Sequence, residues 1–489
     1  MSNRLRVTLR VMGMFQIVLA LSMLVPMGIA YMYHETKALE AFVTVICTFL
    51  IFGIITLKLI SPSPVPIKSR DGFIVVSMGW ILASVIGALP MWISGAIPNF
   101  INAFFESCSG FSTTGASILT DIEALPKSIL FWRSFTHWLG GMGIVVFVTA
   151  LLPSLGINGQ LAANAETHGP TKDKITSKYR DTAKDLYIIY IVLTIAESIL
   201  LKAGGMSWYD SLVHTFGTVG TGGFSCYGDS IGHFGSAYIE WVIIIFMILA
   251  GLNFNLYYFL GKGGGLKRIL ADEEAKFYFS VIGVFSTIVF ACLVAYHQFE
   301  DMADTFRHSV FQVVSILTTT GYMTADYDIW PTCAKMFIFM LFFIGGCSSS
   351  TSGGIKGVRF LIAMKLVRRG ISVKAHPYRI ATVTYNKKEL GNDVVINITY
   401  FLFAYILLLA AGFLLISLDG FDLISSLSAA ATCLGNIGPG FKIFGPTMNF
   451  SVLSPFDTFV CSILMIFGRL ELFTLLILFS RHFWNANKA

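Results

Sequence analysis

The sequence predicts an all-α polytopic membrane protein: four pseudo-repeats of helix, re-entrant pore helix with filter loop, and helix around one central pore, preceded by two extra N-terminal transmembrane helices. Three observations carry this. Of 489 residues, 55% are hydrophobic and 13% charged, about half the charge of a soluble globular chain, and the mean hydropathy is +0.73. Ten apolar stretches are each long enough for a hydrocarbon core, which takes about 20 helical residues. Four shorter apolar segments recur between them, each closed by a Gly-centred polar turn.

Taken in order, the first stretch, near 8–33, has the basic front of a signal peptide. Its apolar run is too long and it lacks an A-x-A-like cleavage site, so it reads as a retained span. The others lie near 39–60, 72–96, 128–152, 185–205, 236–260, 277–297, 332–364, 394–418 and 453–480. From the third onward each pair encloses a segment too short to cross: 101–113, 208–220, 303–319 and 421–435. At ~1.5 Å per residue, such a segment enters the membrane and must turn back.

The turns read Thr113-Thr114-Gly115-Ala116-Ser117, Thr221-Gly222-Gly223-Phe224-Ser225, Thr319-Thr320-Gly321-Tyr322-Met323 and Asn436-Ile437-Gly438-Pro439-Gly440. Their central glycines are 108, 98 and 117 positions apart, a fourfold internal repeat. The chain divides accordingly: 1–67 for the two extra helices, then repeats at 68–170, 171–268, 269–385 and 386–489.

Basic loops stay cytoplasmic. With both termini inside, 26 of the 34 Lys and Arg fall on that side, seven fall outside and Arg469 lies within a span. The same placement puts 16 acids outside, Glu106, Asp121, Asp210 and Asp422 among them, so the four turns share the outer face with an acidic vestibule that concentrates cations. The eight Cys stand singly, with no CxxC, which signals neither a zinc site nor a disulfide framework.

A desolvated monovalent cation needs several oxygen dipoles at close range, and a ring of backbone carbonyls supplies them in lipid. Aiming carbonyls inward forces backbone that only Gly adopts cheaply, which accounts for a Gly in each turn. Neighbouring Thr and Ser add hydroxyls, and half-helix C-termini lend partial negative charge. A single turn of this kind would merely tighten a hairpin; four at near-equal spacing read as a filter of Thr113, Thr114, Gly115, Thr221, Gly222, Gly223, Thr319, Thr320, Gly321, Asn436, Ile437 and Gly438.

The sequence resembles the Trk, Ktr and HKT superfamily of potassium transporters over essentially its whole length. The resemblance rests on Phe104-Phe105-Glu106-Ser107 leading into Thr113-Thr114-Gly115, on Trp138-Leu139-Gly140-Gly141-Met142-Gly143-Ile144, on Gly435-Asn436-Ile437-Gly438-Pro439-Gly440 and on Phe467-Gly468-Arg469-Leu470-Glu471. The Asn-Ile-Gly-Pro-Gly turn places it with the Trk branch. The resemblance implies K+ as the transported ion, no organic cofactor bound by this chain, a homodimer with one pore per chain, and a TrkA-like cytosolic nucleotide-binding ring that controls a gate. It also implies a multi-pass protein of the bacterial cytoplasmic (inner) membrane.

The eighth apolar stretch is interrupted by Gly345-Gly346-Cys347-Ser348-Ser349-Ser350-Thr351-Ser352-Gly353-Gly354. Irregular backbone at membrane depth must be satisfied by protein or water, so this loop is expected to line the conduit below the filter and gate it; a kink without a gating role is the alternative. Relative to the family's pattern, Ser349 and Ser352 stand where Gly is usual, which implies a stiffer loop. Arg469 is costly in a span and a functional candidate by default: below a filter it repels cations, and by resemblance it faces the gate loop. A structural ion pair with Glu471 is the alternative.

Lys356 is expected to snorkel at the cytoplasmic end, with a gating contact as the sharper option. His214 and His308 read as packing or helix-dipole residues, because no second His stands at ligand spacing. Glu197 has no partner nearby in sequence. Gly261 to Gly265 lacks the phosphate-loop spacing. The basic loops Lys172 to Lys184 and Lys365 to Lys388 suit a docking partner, and anionic membrane lipid explains them equally well. No nucleic-acid partner is expected. An enzyme would need convergent nucleophiles, acids or metal ligands, and none converge. A secondary carrier with inverted repeats would not place all four turns on one face. Met323 departs from the usual hydroxyl residue, and each turn has one filter Gly, so discrimination of potassium over sodium is expected to be modest.

Overall fold

The computed structural model describes residues 3–61, 69–143, 179–260, 265–378 and 381–485. The end of the fourth apolar stretch, residues 172–178 of the first basic loop and residues 261–264 of the Gly-rich turn lie outside the described residues. Among those described, six helices are long and apolar enough to cross a membrane, or seven if the bent pair at the C-terminal end is one span.

Among the described residues the sixth and tenth expected spans are broken as well as the eighth. The first helix of each repeat is long: Ser69–Ile93, Tyr179–Ala203, Glu273–Ala295 and Asn392–Ile416. The second is short: Lys127–Gly141, Ala237–Gly251, Thr332–Leu341 and Pro455–Arg469. The physical reason is crowding at the ends of the half-helices. A Cβ on Gly140 would lie 1.9 Å from the Phe111 carbonyl oxygen and one on Gly468 2.1 Å from that of Leu434, so these backbones already touch. After Arg469 the chain turns through 108° into Phe473–Phe479, with Glu471 and Leu472 both at positive φ. Arg469 thus sits at a break and not inside a continuous span.

The N-terminal helices Asn3–Ser22, Leu24–Met32 and Thr36–Leu59 pack on one another and on the first helix of repeat 1. Glu35 accepts the backbone N–H groups of Lys127 (2.6 Å) and Ser128 (3.1 Å), capping a helix whose own N-cap, Pro126, offers no side-chain acceptor. A small antiparallel hairpin, Thr384–Tyr385 with Lys388–Glu389, departs from the all-helical expectation. Asn386 and Lys387 form its two-residue turn, both at positive φ, as a tight hairpin requires. Asn386 also accepts the Glu273 N–H at 2.9 Å and donates to Asp272 at 2.7 Å, tying the hairpin to the start of the third repeat.

Candidate functional site: a ring of four turns and the loop beneath it

The four half-helices run Phe100–Phe111, Trp208–Gly220, Met302–Leu317 and Leu423–Gly435. Asn99, Ser207 and Asp301 cap the first three by accepting the N–H of Ile101, Asp210 and Ala303. Their C-terminal halves are fully buried even where polar, as with Ser109, Thr218, Ser315 and Thr432.

Each half-helix ends in the same way. A residue in the left-handed region closes it: Thr113 (φ +54°), Thr221 (+55°), Thr319 (+56°) and Asn436 (+54°). Two residues on, Gly115, Gly223, Gly321 and Gly438 again have positive φ, at +81°, +76°, +80° and +106°. In repeat 1, Thr113 donates its N–H to Gly110 (3.1 Å) and Thr114 to Ser109 (2.9 Å), a C-cap repeated by Thr221 with Gly222 and by Thr319 with Thr320. Sequence reasoning placed the glycines but missed the left-handed Thr and Asn before them. Asn tolerates that conformation and a β-branched Thr does not, so three of the four turns hold strained backbone.

The turns close on one another in sequence. A Cβ on Gly115 would meet the Gly222 carbonyl oxygen at 2.0 Å, on Gly223 that of Thr320 at 2.1 Å, on Gly321 that of Ile437 at 2.2 Å, and on Gly438 that of Thr114 at 2.7 Å. Each repeat touches the next and the fourth touches the first. All four glycines border one vestibule of ≈ 330 Å³, lined further by Asp121, Glu123, Tyr227 and Asn449. The segments that follow the turns line it too, so all four turns open to the same side.

Ties between neighbouring repeats keep the outer strands in register. Tyr322 donates its hydroxyl to the carbonyls of His214 (2.9 Å) and Phe224 (3.2 Å), Tyr327 to that of Gly440 (2.8 Å), and the Phe450 N–H bonds Ser117 (2.8 Å). His137 bonds the Gly110 carbonyl at 2.8 Å and meets the Phe224 N–H at 3.3 Å.

The interrupted eighth stretch lies under the ring. The Gly353 N–H donates to the Thr319 hydroxyl at 2.7 Å, and Gly353 packs beside Gly435 and Asn436. Arg469 reaches this loop. It donates to the carbonyls of Thr351 (2.8 Å), Gly140 (2.6 Å) and Gly141 (2.8 Å), and to the Thr113 hydroxyl at 3.2 Å. Glu471 pairs instead with Arg359, so the local pair with Arg469 is not formed. Asn436 donates to Thr114 (3.0 Å) and to the Met465 carbonyl (2.9 Å), joining repeats 4 and 1.

Within the loop, Ser349 has φ +54°, which explains why Gly is at home there. The hydroxyls of Ser350 and Ser352 bond each other at 2.7 Å. Lys356 is 3% exposed and turns its ammonium onto Ser352, a contact with the loop 345–354 in place of the expected snorkelling. Two further residues escaped sequence reasoning. Arg133, counted there only as an outer base, is buried against Glu106. Glu274 accepts the Ser348 N–H and hydroxyl, both at 2.6 Å, and the Val358 N–H at 3.1 Å. The acids Asp272, Glu273 and Glu274 mark a helix start in sequence, but nothing there says that the third one turns inward.

Glu274→Ala removes three hydrogen bonds, two that hold Ser348 within the loop and one that holds Val358 just beyond it. Charge-assisted bonds contribute ~1.5–3 kcal/mol each, so rubidium flux per molecule is expected to rise about tenfold if the loop obstructs the path. Flux assays on purified protein in lipid vesicles check this, and unchanged flux contradicts it.

The family model described as "TrkH: Cation transport protein" matches residues 38–486. The chain belongs to the TrkH family. It is 36% identical to the Trk system potassium uptake protein TrkG of Escherichia coli over 99% of this chain and 100% of that protein. It is also 36% identical to the Trk system potassium uptake protein TrkH of Salmonella typhimurium, over 98% of this chain and 99% of the relative. Among solved structures it is similar to the potassium transporter TrkH from Vibrio parahaemolyticus, with a TM-score of 0.88, 33% identity, and coverage of 98% of this chain and 100% of that one. This TrkH-family chain is a helical membrane transport protein and not an enzyme.

Other sequence expectations find their places in the TrkH-family fold. His214 bonds the Asp210 carbonyl and Ser225, and His308 bonds Thr324, so both act as structural hydrogen-bonding groups. Among the described residues no cluster of three metal-ligating side chains occurs. Glu197 is fully buried and neither carboxylate oxygen has a hydrogen-bond partner among the described residues.

Proposed function

We infer that the chain mediates potassium uptake through a four-loop selectivity filter at the turns of Gly115, Gly223, Gly321 and Gly438, gated by the loop 345–354 and a cytosolic nucleotide-binding partner. The observation that carries this reading is the closed circuit of close approaches, in which each glycine lies against a carbonyl of the next turn. Backbone oxygens gathered from four turns at the ends of four half-helices are what a desolvated K+ requires, and the half-helix termini add partial negative charge. The full-length relatives named as potassium uptake proteins support the same ion.

Ions enter from the acidic vestibule and pass the ring. Below it they meet Arg469 and the gate loop, which it holds through Thr351. A unit charge gains ~2.3 kcal/mol per 100 mV of membrane potential, enough to drive inward flux without chemical coupling. In this reading both termini are cytoplasmic, the vestibule faces outward and the basic segment 365–388 faces the partner. Assembly as a homodimer, each chain with its own pore, completes it.

Rubidium uptake into cells stripped of their own potassium uptake systems tests the ion and the filter together. Wild type is expected to be blocked by potassium and weakly by sodium, and Gly438→Ser to lose that preference. If Gly438→Ser matches wild type with equal protein in the membrane, the filter reading fails and a secondary carrier becomes the better account.

A further inference from the structure

The half-helices share a feature beyond their glycines. Nine residues before Gly115, Gly223 and Gly321 stand Glu106, His214 and Gln312, all fully buried. Each reaches forward to the strand beyond its own turn. Glu106 accepts from the Ile118 N–H (2.9 Å) and the Ser117 hydroxyl (3.0 Å). His214 bonds Ser225 at 2.9 Å, and Gln312 donates to the Ala325 carbonyl at 3.3 Å. In repeat 4 that position is Ala429, and the preceding Ser428 accepts the Phe441 N–H at 3.1 Å instead. The same brace is built with four different side chains, and only the first is acidic.

That carboxylate is matched by Arg133, whose Nε and Nη2 lie 2.7 and 2.6 Å from Glu106 Oε1, with side chains 1% and 0% exposed. The guanidinium borders the vestibule. It also crosses to the next repeat, donating to the Ser225 carbonyl at 3.4 Å and lying 4.1 Å over the Phe224 ring. Unpaired, it would set a positive charge at the mouth of a cation path; paired, it is a neutral strut between the strands of repeats 1 and 2.

We propose that Glu106 and Arg133 are positioning residues for ion selection, a neutral buried pair that fixes the spacing of the first two filter turns. The proposal rests on the filter reading above. Because each selectivity oxygen is held only as well as its strand, loosening two of four strands lets the ring relax around the smaller sodium ion. Removing the carboxylate alone exposes the guanidinium to the entering ion.

Three variants separate these effects in rubidium uptake with potassium and sodium as competitors, with membrane protein quantified. Arg133→Lys keeps neutrality but loses the forked contact to Glu106 together with the reach to the Ser225 carbonyl of the second repeat; discrimination is expected to fall about fivefold, the value of one hydrogen bond, with KM within about twofold. Glu106→Gln leaves the charge unpaired, and KM is expected to rise about tenfold with a smaller change in maximal rate. The double variant, Glu106→Gln with Arg133→Gln, is expected to restore KM but not discrimination. A merely structural role would lower the amount of protein without moving either ratio. Wild-type discrimination in Arg133→Lys and in the double variant overturns the proposal, as does failure of every variant to accumulate in the membrane. Gly438→Ser, run alongside, tells the two readings apart. If it lowers discrimination and the pair variants do not, only the strut is lost. If it too changes nothing, the filter reading has failed.

Discussion

Gly115→Ala is expected to reduce potassium-selective rubidium uptake by at least about thirtyfold, with protein still present in the membrane. Its added Cβ would lie 2.0 Å from the Gly222 carbonyl oxygen, an atom fixed by its own turn, and the residue has φ +81°. Left-handed backbone costs an L-residue roughly 1–2 kcal/mol and overpacking typically 1–3 kcal/mol, which together exceed about 2 kcal/mol, or thirtyfold. Both penalties fall on the ring. Uptake and competition by sodium, normalised to membrane protein, check the result.

Arg469→Ala is expected to raise flux about tenfold in the absence of any cytosolic partner. Two effects act in the same direction. Loss of the bond to the Thr351 carbonyl removes a charge-assisted contact of ~1.5–3 kcal/mol from the loop 345–354, and loss of the guanidinium removes a positive charge from below the ring. Arg469→Lys should lie between, since one ammonium cannot span Thr351, Gly140 and Gly141 at once. Single-channel or vesicle flux recordings decide it, and reduced or unchanged conductance at equal protein would contradict the barrier role.

What was legible in the sequence is what local backbone demands. The four glycines could be read because positive φ with a neighbouring carbonyl where a Cβ would stand leaves no room for a side chain, and the polar run 345–354 because lipid does not tolerate it unburied. The short second helices were not legible: their apolar stretches continue in sequence past Gly251 and Arg469, while the backbone stops where it meets a half-helix end. Nor were the partners of buried charges. Arg133 bonds Ser225 across 92 positions and Glu274 bonds Ser348 across 74, and no periodicity encodes such separations. The half-helix acid Glu106 was counted with the vestibule because charge alone assigns a side of the membrane. Only packing shows that it points away from water.

The most direct measurement is anomalous diffraction from crystals of the wild-type protein grown in rubidium. The account predicts rubidium peaks on the axis enclosed by Gly115, Gly223, Gly321 and Gly438, displaced by potassium and lost in Gly115→Ala. Ordered rubidium elsewhere in the bundle, with none at the ring, would contradict it.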